Sequence, residues 1–385
     1  MDTQSASVHI RLWHKNFWLL IIVNLLLCIS VTMLIPTMPR WLLLKDGISE
    51  METGIVMGSF AIGLFLPGVF CSYLVQRYRR NLVCVWAILL MALSIVLPLY
   101  VSLKGLLLPI ILLRLLQGAS FGLAQMVLTS TLIIDTCESF QRTKANHSVT
   151  WFGRFALSMG PMLGILINRF FDFDYVLGIS ASCCLVAAVL VLLVHFPFRV
   201  PSDDVHVLSL DRFFLTSGWL LFVHLFLVSL SVGMLFSLPL NDQFYALLMV
   251  GFLLALLAQR FIFPNAELKS EVVSGLILMG ASMLILLTSP SSLLQAPLLG
   301  LGIGIVGARF LLFLIKLSKH CRRGTSQSTF MLGWESGLAF GVGIGYTCFS
   351  DDSKKLVYTA LAIVAGLLIS YLFFLHNWFL QNKNR

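Results

Sequence analysis

The chain has 385 residues, of which 58% are hydrophobic and 11% charged, with a net charge of +9. Soluble domains carry roughly 25% charged residues, and here the apolar excess recurs along the whole chain, so a soluble globular protein is excluded and lipid is the expected solvent. The basic residues fall in small groups between apolar runs, which argues for loops at a membrane surface and against a nucleic-acid partner. The eight cysteines are scattered without metal-ligand spacing, so neither a metal, a cofactor nor a disulfide framework is expected.

The apolar runs are continuous and long, unlike the alternating strands of about ten residues in a transmembrane barrel. Taken in chain order they predict helices at about 16–44, 50–76, 82–103, 107–134, 146–168 and 175–197. A polar stretch follows, and six more helices are expected at about 213–238, 241–263, 271–289, 293–317, 325–349 and 355–379. The first run is preceded by Arg11 and Lys15, but it is too long for a signal peptide and no small-residue cleavage site follows it, so it is read as a helix that stays. The predicted fold is therefore an all-α integral membrane protein of twelve spans. Its N-terminal half is 1–198, its central loop 199–212 and its C-terminal half 213–385, an arrangement in which two six-helix halves repeat each other. With the N-terminus in the cytoplasm, inside segments carry about 17 Lys and Arg against about 6 outside, so both termini are expected to be cytoplasmic.

Three arginines, Arg114, Arg154 and Arg309, and one acid, Glu335, interrupt apolar runs. A charge near the bilayer centre costs at least about 2.5–3.5 kcal/mol on insertion scales, so each needs either a structural partner or a wet cavity. Glu335 is the only acid well inside a run, which makes it the candidate proton carrier. Trp334 beside it is a candidate contact for an organic substrate, although neighbouring helical residues point about 100° apart. Asn24, Trp219 and His224 are weaker candidates, since a lone polar residue in a membrane helix commonly makes an interhelical hydrogen bond. Two catalytic patterns lack their context: 118–122 reads Gly-x-Ser-x-Gly without a strand–turn–helix, and 302–307 reads Gly-x-Gly-x-x-Gly without a preceding strand. The sequon at Asn146 falls on the expected cytoplasmic side.

In the fourth helix, Arg114, Gln117 and Gly118 share one face at i, i+3 and i+4, and small residues after them permit close backbone approach. This stretch resembles the Arg-x-x-Gln-Gly motif of the major facilitator superfamily. Gly160-Pro161-Met162-Leu163-Gly164 in the fifth helix is similar to the Gly-Pro-x-x-Gly core associated with that family's drug:proton antiporters. Pro removes a backbone bond and Gly removes bulk, which suits a bend and tight packing. The loop 72–81 looks like a degenerate form of the family's Gly-x-Leu-x-Asp-Arg-x-Gly-Arg-Arg loop. Leu74, Arg77 and Arg80 match, whereas Gln76 replaces the aspartate. Asp135, Glu138 and Arg142 look like the other half of the same gating network. The resemblance implies a proton-coupled secondary transporter of a small organic molecule, acting as a monomer in the cytoplasmic (inner) membrane. Arg114 would organise the cavity and proton site, Gln117 would offer hydrogen bonds, Glu335 would carry the proton and Arg309 would oppose it. Gly118, Gly160, Pro161 and Gly164 would let the halves rock. The fifth-helix element favours export. The alternative is a proton-coupled importer of a sugar, organic acid or other nutrient, and an enzyme or receptor is disfavoured because no catalytic cluster or soluble domain is legible.

The topology is directly testable. Reporter domains fused near Asp204 and at Arg385 are both expected to read cytoplasmic, and a signal from the opposite side at either position would break the even-span arrangement.

Overall fold

A computed structural model of the chain describes residues 12–45, 47–101, 106–196, 206–263, 267–319 and 322–383. Arg11, Lys104, Arg385 and the 199–205 part of the central loop lie outside the described residues. Helix follows helix throughout, with no strand among the described residues. The segments are α1 (Lys15–Leu44), α2 (Glu50–Phe65 continued by Gly68–Arg77), α3 (Arg80–Tyr100), α4 (Leu107–Asp135), α5 (Ser139–Phe170) and α6 (Phe173–Leu193). They continue as α7 (Thr216–Phe236), α8 (Asp242–Phe261), α9 (Leu268–Thr288), α10 (Gln295–Leu317), α11 (Arg323–Cys348) and α12 (Ser353–Asn382).

Local chemistry explains several boundaries. Ser49 and Glu52 form a reciprocal capping box at the start of α2, and Asn241 and Asp352 accept backbone N–H groups at the starts of α8 and α12, which satisfies donors that helix geometry leaves open. Pro67 has no N–H to give, and α2 bends by 45° there. By contrast α1 runs through Pro36 and Pro39 with only a turn at Met33. α5 starts earlier than its apolar run, through the polar residues Arg142, Lys144 and Asn146.

Among the described residues ten segments are long and apolar enough to cross a membrane, and the bent α2 makes eleven. α11 is the segment that falls short of the twelve expected. Its first half is polar, but Thr325, Ser326, Gln327, Ser328 and Thr329 are all buried. Their polar groups face protein rather than lipid, so α11 escapes the demand for an apolar surface.

Packing repeats with a shift of six helices. α1 packs on α5 and α6, α2 on α4, and α3 on α4 and α6. α7 packs on α11 and α12, α8 on α10, and α9 on α10 and α12. The crossings joining the two sets, α2 with α11 and α5 with α8, obey the same shift. Several of these contacts need glycine. A Cβ at Gly118 would run into the Phe60 carbonyl of α2. At the α2–α11 crossing, a Cβ at Gly343 would stand 2.8 Å from the Gly54 carbonyl oxygen.

Arg309 of α10 pairs with Glu271 of α9 through Nε and Nη2. Glu271 is fully buried and supplies the carboxylate that the Arg309 guanidinium needs. Removing one partner of such a pair strands the other charge. Glu271→Ala is therefore expected to destabilise the fold by about 3 kcal/mol, read as a lowered thermal midpoint in detergent, and Arg309→Met added to it should recover much of the loss.

Candidate functional site

One cavity lies among α1, α4, α5 and α11. Each helix lends it one face: Asn24 and Cys28 from α1, Gln125 and Thr129 from α4, Val149, Thr150, Gly153 and Arg154 from α5, and Gln327, Phe330, Met331, Trp334 and Glu335 from α11. The spacings are those of single helical stripes, i, i+3, i+4 and i+7. Water-sized spheres can be centred over about 50 Å³ of it, room for a few waters at about 10–15 Å³ each. Thr129 belongs to a π-helical turn, Leu128–Leu132, a distortion frequent at functional sites.

Part of the polar lining is already engaged. Asn24 Nδ2 donates to the Val149 carbonyl at 3.1 Å, Gln125 Nε2 to Cys28 Sγ at 3.3 Å, and Gln327 Nε2 to Thr150 Oγ1 at 3.1 Å. The rest is not. Arg154 is 4% exposed and its Nη1 and Nη2 have no hydrogen-bond partner, nor has Gln327 Oε1. Glu335 is half-buried and makes no hydrogen bond or ion pair among the described residues. An unpaired cation and an unpaired acid therefore line one cavity deep in a membrane protein, where unpaired charge is costly.

Asn24, Trp334 and Glu335 thus meet at this cavity, the last two from adjacent positions. Arg114, Gln117 and Arg309 do not. Arg114 donates to Gln117 Oε1 at 2.8 Å, its guanidinium lies 5.0 Å from the Phe60 ring centre, and Gln117 Nε2 donates to the Ser94 carbonyl at 3.2 Å. The shared face read from the motif is real, and it ties α4 to α2 and α3. Arg309 opposes Glu271, not Glu335. The residue not chosen from sequence is Arg154. It was visible as an intramembrane charge, but it matched no motif. Gln125 and Gln327 gave no signal of their own.

The motif glycines act at helix crossings. Gly160 and Gly164 lie against Thr32 and Met33, where α1 is interrupted, and Thr32 Oγ1 donates to the Ala156 carbonyl at 3.0 Å. At the basic end of the bundle Arg80 forms an ion pair with Asp135, while Gln76 Nε2 donates to Ser72 one turn back at 2.8 Å. Arg142 Nε is buried without a hydrogen-bond partner. Asp211 and Arg212 add contacts there. Arg212, at φ 60°, donates through Nη1 to Thr131 Oγ1 at 2.8 Å and through its backbone N–H to Thr325 Oγ1 at 3.0 Å. Thr325 Oγ1 donates to Asp211 Oδ1 at 3.2 Å. At the opposite end Arg169 pairs with Asp242 at 2.9 Å, and Ser158 Oγ donates to the Tyr245 carbonyl. Both ends of the bundle are bridged.

The sequence model of the Major Facilitator Superfamily matches residues 20–342. The chain belongs to the major facilitator superfamily. Solved structures of this fold are similar over nearly the whole chain. A D-xylose-proton symporter has a TM-score of 0.68 at 14% identity, covering 93% of this chain and 96% of that one. The nucleoside transporter NupG, in a mutant form, has 0.67 at 12%, covering 93% and 99%. An auto-inhibited POT family peptide transporter has 0.65 at 12%, covering 97% and 98%. At these identities the likeness is one of fold. No curated protein matches by sequence.

Within this major facilitator bundle, Arg114 is a tether between helices. Arg114→Ala is expected to abolish transport while the chain still inserts, and Arg114→Lys to restore only part, because lysine lacks the forked donors. Solute flux in vesicles, normalised to membrane-inserted protein, checks this. Full flux in the alanine variant would leave Arg114 a packing residue.

Proposed function

We propose that the chain is a secondary active transporter that moves a small organic solute by alternating access, coupled to protons through Glu335. In this reading α11 spans the membrane with the others, making twelve spans in two halves, 1–198 and 213–385, joined by 199–212, with both termini cytoplasmic. The repeat of the packing order after six helices supports the two halves. The observation that carries the reading is the cavity itself. It is formed by α1, α4 and α5 from before the central loop and by α11 from after it, and an acid without a partner stands in its wall.

Such a site is served in turn from each side when the two helix sets rock. The bridges that join the two sets would then open alternately: Arg212–Thr131 and Asp211–Thr325 at the basic end, Arg169–Asp242 and Ser158–Tyr245 on the other side. A carboxyl in the wall can carry one proton per cycle, and its free energy becomes available to the solute only if the two occupancies are linked. The Gly160–Pro161 element resembles that of exporters, whereas the fold neighbours include a sugar–proton symporter. Direction is therefore left to the measurement: with an inward proton gradient, solute leaves the vesicle for antiport and enters it for symport.

The test is solute-induced proton flux in proteoliposomes. Glu335→Gln keeps size and hydrogen bonding but cannot ionise. It is expected to retain substrate exchange down a concentration gradient and to lose uphill movement driven by a pH gradient. Uphill transport surviving in this variant would place the coupling group elsewhere, with Asp135 the next candidate.

A further inference from the structure

The transported solute's chemistry is legible in how Arg154 is held. Its guanidinium lies 4.6 Å from the Trp151 ring centre, a cation–π contact that fixes the group without using an N–H. Its Nη2 and Nε also pack against Gly307 of α10, where a Cβ would stand 2.7 Å from Nη2. Glycine there makes room for the guanidinium. Position is thus secured by a ring and a bare backbone, while Nη1 and Nη2 have no acceptor.

An arginine is charged at any physiological pH, and a buried charge is retained only where something compensates it. The nearby acids do not fill that role. Glu335 lines the same cavity but forms no ion pair with Arg154, and Glu271 is taken by Arg309. The missing acceptor must then come from outside the chain. On the same stripe of α5, two turns before Arg154, Asn146 is 1% exposed and has neither side-chain nitrogen nor oxygen bonded. Gln327 Oε1, across the cavity, is also unbonded. The groups left unsatisfied in the cavity wall are therefore one forked cation and, across from it, one amide acceptor.

We propose that the solute carried at this site is a small organic carboxylate with further hydrogen-bonding groups, its carboxylate docking on Nη1 and Nη2 of Arg154. The fork of a guanidinium matches the two oxygens of a carboxylate. Gln327 meets the polar remainder of the solute, and Trp334 and Phe330 meet its carbon skeleton. This rests on the transporter reading above and narrows its substrate class.

The test uses the purified full chain in detergent and pairs of probes matched in size: benzoate with benzamide, and gluconate with glucose. Thermal unfolding is followed as each is titrated. Carboxylates are expected to raise the unfolding midpoint saturably and their neutral partners not to. Arg154→Gln should weaken carboxylate binding by about tenfold or more, the range for a charge-assisted hydrogen bond, with Arg154→Lys between the two. Gly307→Ala leaves every charge in place but displaces the guanidinium, and should weaken binding in the same sense even if Arg154→Gln does not fold. Carboxylates giving no larger shift than their neutral partners would overturn the proposal, as would unchanged affinity in both Arg154→Lys and Gly307→Ala. The same probes in proteoliposomes separate the two levels of inference. A neutral probe moved together with protons removes the carboxylate assignment and leaves coupled transport standing. A carboxylate that binds through Arg154 but moves neither itself nor protons removes the transport reading and leaves the site.

Discussion

In hydrocarbon, burying apolar side chains no longer drives helices together, because lipid tails are as apolar as leucine. Helices must instead hold each other by close backbone approach and by polar contacts across the bundle. The crossings show both. Gly118 meets the Phe60 carbonyl, Gly343 meets Gly54, and Gly160 meets Thr32, whose hydroxyl donates onward to Ala156. Such contacts depend on short distances and are lost when helices separate slightly.

The same solvent decides where polar groups go. Two of the intramembrane arginines have an identifiable answer: Glu271 for Arg309, and Gln117, Met57 and the Phe60 ring for Arg114. At the cavity, Arg154 Nη1 and Nη2 and Gln327 Oε1 are left without one. α11 shows the consequence most clearly. It carries a polar first half because those residues are buried against other helices and the cavity wall.

The ends of the bundle follow a different logic, built from partly exposed ion pairs and buried hydroxyl contacts. Exposed ion pairs of this kind individually contribute about 0–1 kcal/mol. Gln76 turns back to Ser72 within its own helix, while Asp211 and Arg212 reach the start of α11 and the π-helical turn of α4. The basic end of this chain is thus bridged by residues preceding α7 as well as by Arg80 and Asp135.

Most of the helix layout was legible in the residue order, because a span must satisfy its backbone internally and needs about 20 apolar residues to do so. Observed segments such as Leu107–Asp135 and Gln295–Leu317 begin and end close to where the apolar runs do. The motif around Arg114 and Gly118, and the intramembrane position of Glu335, were legible for the same reason: a charge or a run of small residues stands out against an apolar background. Partners were not legible. Arg114, Arg154 and Arg309 look alike along the chain, yet one is tied to its own helix and its neighbours, one is paired with Glu271, and one is left in the wall of a cavity. That difference depends on which helices lie beside each arginine and how each helix is rotated. Sequence spacing determines which residues share a face of one helix, and only the tertiary structure decides what that face meets.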